Sequence, residues 1–256
     1  MSAGRLPLSV CIITKDEEAR LPRCLESVSF SEDIVVLDSG STDATVAVAQ
    51  KSGCRVFVEG WRGFGPQKQR AMELAEHDLV LLMDADEVLE QGAAAEIARV
   101  ISDPSAADAY SFRRRGYIGD RIIRHSGWWP DPVIRLVDRR KCRIEGSIHE
   151  RVIVDGTTRE LESVIHHYSF RNYSHMIRKM DLYSDYTSDK LLSEGSGAGA
   201  FSPITHSLSM FLRTYFLKAG VLDGLDGLVI SLLNAGGTFF KYAKLLEKRG
   251  RARDEG

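Results

Sequence analysis

Along its first hundred residues the chain switches repeatedly between short unbroken apolar runs and helically spaced apolar positions. Residues 8–13 form a largely β-branched run, closed by the polar Thr14-Lys-Asp-Glu-Glu18. Residues 17–29 then place Leu21, Cys24, Leu25 and Val28 three and four apart, the stripe of a surface helix. A second run at 34–37 ends at Asp38-Ser-Gly-Ser-Thr-Asp43, where Thr42 or Asp43 can cap a helix over 44–52. The pattern predicts a third strand at 54–58, a helix at 66–76 and a fourth strand at 79–83, which ends at Asp84-Ala-Asp86. Almost wholly apolar strands alternating with helices predict an α/β fold with a parallel sheet covered on both faces. Ligands of such sheets collect at the carboxyl ends of the strands, so Thr14, Asp38 and Asp84 are expected on one rim.

The pattern changes after residue 110. Shorter strands are predicted at 109–113, 133–137 and 151–154, in a stretch where eleven Lys and Arg between Phe112 and Arg151 face five acids. Beyond 170 the spacing is helical, with a Gly/Ser break at 194–199. The expected organisation is an α/β domain over 1–170 and a helical region over 171–256. With 256 residues, 43% of them hydrophobic and 27% charged, the chain can bury a sizeable core and is no disordered scaffold. Its 34 Lys and Arg balance 36 Asp and Glu, which argues against a globally basic nucleic-acid binder, and no nucleic-acid partner is expected. Cys11, Cys24, Cys54 and Cys142 form no CxxC pair, and fit a reducing cytosol better than a disulfide framework or a zinc ribbon. The apolar run near the start is too short for a signal peptide, and no run reaches the ~18 apolar residues of a membrane span. A cytoplasmic catalytic part is therefore expected.

The candidate chemistry sits at the strand ends. Asp84 and Asp86, two apart after an apolar strand, can both face the rim, and their oxygens suit Mg2+ or Mn2+ held jointly with substrate phosphates. A solvated acidic turn at a helix start is the competing reading of that tripeptide alone. Asp38 and Ser39, in a loop of small residues, offer acceptors for a uracil-type base or a ribose. Lys15 and Glu17 follow the first strand toward the same place. Lys68 opens a helix near the rim, where a diphosphate could be met.

Taken in order, Cys11-Ile-Ile-Thr-Lys-Asp-Glu-Glu18, Val35-Val-Leu-Asp-Ser-Gly-Ser-Thr-Asp43, Gly63-Phe-Gly-Pro-Gln-Lys-Gln-Arg-Ala71 and Leu81-Leu-Met-Asp-Ala-Asp-Glu87 resemble family 2 glycosyltransferases of the GT-A fold. His125-Ser-Gly-Trp-Trp-Pro-Asp-Pro-Val-Ile-Arg-Leu136, Ile148-His-Glu150, Val164-Ile-His166, Asp223-Gly-Leu-Asp-Gly-Leu228 and Thr238-Phe-Phe-Lys-Tyr242 narrow the likeness. They look like the bacterial branch that contains lipopolysaccharide-core β-1,4-glucosyltransferases. The likeness runs from about residue 8 to 247, with Asp16 standing where relatives usually have Asn.

The resemblance implies an inverting hexosyl transfer from a UDP-sugar, UDP-glucose foremost, to a lipid-linked anionic saccharide such as the lipopolysaccharide inner core. Glu150 matches the position of the general base that deprotonates the acceptor hydroxyl, with His149 as the alternative and Asp131 as a third candidate. Asp84 would serve the nucleotide, and Asp86 with His166 the metal, a Lewis acid on the leaving diphosphate. Trp128 and Trp129 could wall a sugar site, and Arg124, His125 and Arg135 could face acceptor phosphates. Between His206 and Arg253 eight basic residues and three acids edge many apolar ones, a composition suited to helices at an anionic membrane interface on the cytoplasmic face of the inner membrane. A cap packed on the domain, or a dimer face, has the same pattern. Two other functions share parts of it. A sugar nucleotidyltransferase would need a phosphate-binding loop where Thr14-Lys-Asp-Glu-Glu18 stands, and a non-catalytic membrane adaptor would need only the basic and apolar segments.

Overall fold

The computed structural model describes residues 5–103, 105–146 and 150–254. The chain divides into two compact units, one of Met1–Arg114 and Asp131–His167, the other of Arg115–Pro130 and Tyr168–Gly256.

The first unit begins with β1 (Leu6–Thr14), α1 (Leu21–Ser27), β2 (Ser31–Asp38), α2 (Thr45–Lys51), β3 (Arg55–Val58), α3 (Phe64–Glu73) and β4 (Leu79–Asp84). Then follow β5 (Glu87–Leu89), α4 (Ala93–Ile101), β6 (Ala109–Ile118), β7 (Arg121–Ile122), β8 (Asp131–Asp138), β9 (Cys142–Glu145), β10 (Arg151–Val154) and β11 (Thr158–Phe170), of which β7 and the ends of β6 and β11 lie in the second unit. Among the described residues the main sheet runs β3-β2-β1-β4-β8-β6-β11-β5, and β9 and β10 form a separate antiparallel pair. The parallel sheet expected from the first hundred residues is formed by β3, β2, β1 and β4. Beyond β4 the sheet turns antiparallel, with β8 against both β4 and β6, and β5 against β11.

The unbroken apolar runs follow from burial on both faces. In β1, Leu8, Val10 and Ile12 enter one core with Leu21, Leu25, Met83 and Ile97, while Cys11 and Ile13 enter the other with Leu37, Met72 and Leu82. Neighbouring residues of a strand point to opposite faces, so a strand sandwiched between layers has no polar side. Register does the rest for the rim. Thr14 is level with Asp38 across β1 and β2, and Ile13 is level with Asp84 across β1 and β4.

In the second unit α5 (Tyr173–Ser193) is capped by Asn172, whose Oδ1 accepts from the His175 N–H at 2.9 Å. The expected break separates it from α6 (Ser202–Leu212), which runs on through a π-helical turn, Arg213–Leu217, and a 3-10 turn, Gly220–Asp223, to α7 (Gly224–Asp254). Ile118, Ile123, Met176 and Ile230 make its core. Among the described residues no helix is long and apolar enough to cross a membrane.

One glycine fixes where α3 lies. A Cβ on Gly65 would stand 2.0 Å from the Gly146 carbonyl oxygen, a backbone atom that cannot swing aside. Gly65→Ala is expected to cost about 1–3 kcal/mol through overpacking. Gly60→Ala, with open space around it, should leave stability nearly unchanged. Thermal denaturation of the two variants beside the unaltered chain checks this, and equal midpoints would show that the close approach is not rigid.

Candidate active site

The loops after β1 and β2 are stitched to each other. Asp16 takes a left-handed conformation, φ 53°, one of the few residue types that does so readily. Its Oδ1 accepts from the Thr42 N–H at 2.8 Å, and its own N–H donates to Ser41 Oγ at 2.8 Å. The Glu17 N–H donates to Thr45 Oγ1, and Glu18 Oε2 accepts from the Ala44 N–H, both at 2.8 Å. Asp38, fully buried, uses its carboxylate within its own loop. Oδ1 takes the Gly40 and Ser41 N–H groups at 2.9 and 2.8 Å, and Oδ2 takes the Ser41 hydroxyl. That is an Asx-type turn, so Asp38 shapes the rim rather than offering a free acceptor on it. Ser39 is buried beside it, where its hydroxyl accepts from Gln67 Nε2 at 3.2 Å.

Two buried polar atoms in this corner, Thr14 Oγ1 and Gln67 Oε1, have no hydrogen-bond partner among the described residues. Buried polar atoms are nearly always paired, so these two, which share Ser39 as a neighbour, stand out as hydrogen-bonding capacity left unused. Gln67 was not singled out in the sequence. Its glutamine amide within a helical stretch gave no signal beyond its neighbourhood to Lys68.

Behind the corner lies a cluster of charges. Lys68, 3% exposed, donates from Nζ to Glu150 Oε1 at 2.7 Å and stands 2.8 Å from Asp84 Oδ1. Arg135, from β8, reaches Asp84 Oδ2 at 2.8 Å and the fully buried Glu87 at 2.5 Å. Glu87 also accepts from the Asp84 N–H at 3.0 Å and lies 3.5 Å from Arg114, which pairs with Asp131 at 2.7 Å. Burial alone would raise the pKa of Asp84, but Lys68 and then Arg135 overcome it and hold the carboxyl far below its ordinary value. The same acids hold Arg135 charged against the cost of its burial. Arg135 is therefore an internal tie and not an acceptor-facing side chain. Lys68 links two of the expected site residues, Asp84 and Glu150. His149 lies outside the described residues.

At the tip of the turn after β4, Asp86 Oδ1 is 3.4 Å from His167 Nε2 and Asp86 Oδ2 is 3.8 Å from Arg20. The histidine brought to Asp86 is thus His167, level with Glu87 across β5 and β11. The expected ligand, His166, is level with Val88. Alternation along β11 turns the two rings to opposite faces. Among the described residues no group of three His, Cys, Asp or Glu side chains is placed to hold a metal ion. A carboxylate and an imidazole nitrogen from separate elements are nonetheless a donor pair that suits a divalent cation.

Other expectations move elsewhere. Glu17 Oε1 lies 3.4 Å from Arg20, and Lys15 is exposed. In the second unit Trp128 packs against Phe170, Arg115 lies over the Trp129 ring at 4.5 Å, and His125 Nδ1 meets Asp223 Oδ1 at 3.0 Å. Much of the basic excess of 112–151 is paired, as in Arg113 with Glu160, Arg140 with Asp138 and Lys141 with Asp108.

Comparison with known proteins gives the rim a context. The family model described as glycosyl transferase family 2 matches residues 9–174. The lipopolysaccharide core biosynthesis glycosyltransferase LpsC of Rhizobium meliloti is 30% identical over 257 residues, which cover 95% of this chain and 93% of that protein. An uncharacterized glycosyltransferase of Rickettsia typhi is 29% identical over 260 residues, covering 96% and 89% of the two chains. Among solved structures, Staphylococcus aureus TarS 1–349 matches with a TM-score of 0.48 and 13% identity, over 96% of this chain and 92% of that one.

The charge cluster has a pH signature. The folded pKa of Asp84 lies below its ordinary 3.8, so its contribution to stability is full above about pH 3.8 and is lost as the pH falls further. Lys68→Met is expected to cost about 3 kcal/mol at pH 7, as loss of one partner from a buried ion pair does. The deficit should shrink below pH 3.8, where protonation removes the stranded charge. Denaturant unfolding at pH 7, 5 and 3 reads it, and a deficit independent of pH would mean that Lys68 acts only through packing.

Proposed function

The chain belongs to glycosyl transferase family 2, and from that premise we propose that it moves a hexose from UDP-glucose, with inversion, to a hydroxyl of a lipid-linked, phosphate-bearing saccharide such as a lipopolysaccharide inner core. The observation that carries the reading is Lys68, a single buried cation bonded to the strand-end carboxylate Asp84 and to the candidate base Glu150. It holds the two reacting ends of such a transfer, donor and acceptor, to one fixed point. The likeness to LpsC supports the acceptor class.

In this reading Thr14 Oγ1 and Gln67 Oε1 meet the donor base, whose edge offers both acceptors and a donor, and the stitched loops keep those atoms in place. Asp84 turns toward the nucleotide with its charge assured by Lys68 and Arg135. Asp86 and His167 would hold Mg2+ or Mn2+, with Arg20 sharing the carboxylate. Bound there, the ion supplies positive charge for the departing diphosphate. Glu150 takes the proton from the acceptor hydroxyl, the hydroxyl oxygen bonds to the anomeric carbon, and the bond from that carbon to the diphosphate oxygen breaks on the opposite side. Lys68 bonds the Glu150 carboxylate and limits its reach until phosphate competes for the ammonium.

The exposed apolar residues of α6 and the turns after it, with Phe201, Leu217 and Leu222 more than two-thirds exposed, support a place at the cytoplasmic face of a membrane, where such an acceptor would be.

UDP release is to be measured for a panel of UDP- and GDP-sugars with truncated lipopolysaccharide as acceptor, with and without EDTA. One UDP-sugar should be consumed, and EDTA should stop it. Glu150→Gln should lower kcat by about 10²–10⁴-fold with the chain folded, as loss of a general base does. Asp86→Ala and His167→Ala should raise the metal concentration needed for half-maximal rate, while His166→Ala should leave it unchanged. No turnover of any donor by the folded chain would overturn the reading. The reverse pattern, a metal requirement raised in His166→Ala and unchanged in His167→Ala, would return the ligand to His166.

A further inference from the structure

The second unit holds a cavity of about 420 Å3, within the size range of small-molecule sites. Trp128, Phe170, Met176 and Leu233 give it an apolar lining, and two lysines, Lys179 on α5 and Lys241 on α7, line it as well. No acid lines it. The neighbouring lysines of α7 are paired, Lys244 with Asp181 at 2.8 Å and Lys248 with Asp189 at 2.6 Å. Lys179 and Lys241 have no acidic partner among the described residues. Lys179 donates to the Ser169 carbonyl at 3.2 Å and lies 5.3 Å from the Phe170 ring centre, and Lys241 lies 4.4 Å from that of Tyr242. Burial pushes the Lys241 ammonium below its ordinary value, so the cavity holds positive charge at a cost that an anion would relieve.

An apolar hollow with two uncompensated cations fits one chemistry, a hydrocarbon chain ending in an anionic group. We infer that this cavity is a lipid site, which takes one acyl chain of an anionic membrane phospholipid with its headgroup phosphate between Lys179 and Lys241. The elements that line it also carry exposed apolar residues, Tyr186 on α5, Leu208 and Leu212 on α6 and Phe240 on α7, so a lipid would enter from the surface proposed to meet the membrane. The inference rests on the membrane part of the proposed function and is independent of donor and acceptor. A chain drawn from the bilayer would convert weak surface contact into longer residence.

The test uses the full chain and a dansyl-labelled undecanoic acid, a monomeric anionic amphiphile, with fluorescence as readout. Saturable binding of one probe per chain is expected. Asn234→Trp, placing bulk at an exposed lining position, should weaken it at least about tenfold, equivalent to 1.4 kcal/mol. Lys179→Gln with Lys241→Gln should weaken it several-fold, with circular dichroism confirming the fold. Absent saturation, or equal affinity in all these variants, overturns the site. Flotation on phosphatidylglycerol-containing and pure phosphatidylcholine vesicles separates the site from the membrane reading. If Leu217→Glu with Leu222→Glu abolishes flotation but leaves probe binding intact, the cavity is supported as a site of its own. If probe binding falls with flotation in that variant, the exposed apolar surface takes the probe and the cavity assignment is overturned.

Discussion

A fully buried carboxylate cannot exist alone, and Glu87 is one. Its nearest cation is Arg135 on β8, the strand beside β4, with Arg114 3.5 Å away. Arg135 in turn is shared with Asp84, and Asp84 with Lys68, whose helix α3 lies where it does because Gly65 has no side chain. Removing any one of these charges leaves another stranded in low dielectric, which is why breaking such a pair costs more than the pair contributes. The cluster thus sets the positions of three elements around the carboxyl end of β4. The geometry of the rim is a by-product of keeping those charges compensated.

The rim and the charge cluster use acidity in different ways. Asp38 and Asp16 spend their carboxylates on backbone N–H groups, which shapes loops without demanding a counter-charge. Asp84 and Glu87 are held by cations, which fixes side chains from distant parts of the chain. Asp86, at the tip, has the looser surroundings of His167 and Arg20. Five acids within one corner of the fold therefore do three kinds of work, and residue type alone does not distinguish them.

The parallel half of the sheet was legible because burial on both faces leaves continuous apolar runs, as in Val35-Val-Leu37 and Leu79-Val-Leu-Leu-Met83. The long strand β11 was not, since Thr158-Arg-Glu-Leu-Glu-Ser163 is mostly polar and exposed, and its pairing depends on partners far away in the chain. Helix α4 was missed because alanines dominate its start and carry little periodic contrast. Asp84, Lys68 and Glu150 were named from their motifs, but a motif gives no account of who pairs with whom. The placement of His167 at Asp86 depends on strand phase, and a one-residue difference in phase exchanges faces. The orphaned oxygens of Thr14 and Gln67 become visible only once the polar atoms around them have been paired.

The hydrogen bonds that join the loop after β1 to the loop after β2 have a consequence for how such a site can change over time. Asp16 serves Thr42 and Ser41, Glu17 serves Thr45, and Glu18 serves Ala44. A substitution in one loop withdraws a partner from the other, so effects at these positions should be strongly non-additive. Change in this corner would then proceed by paired replacements across the two loops, each tolerable only in the presence of its mate.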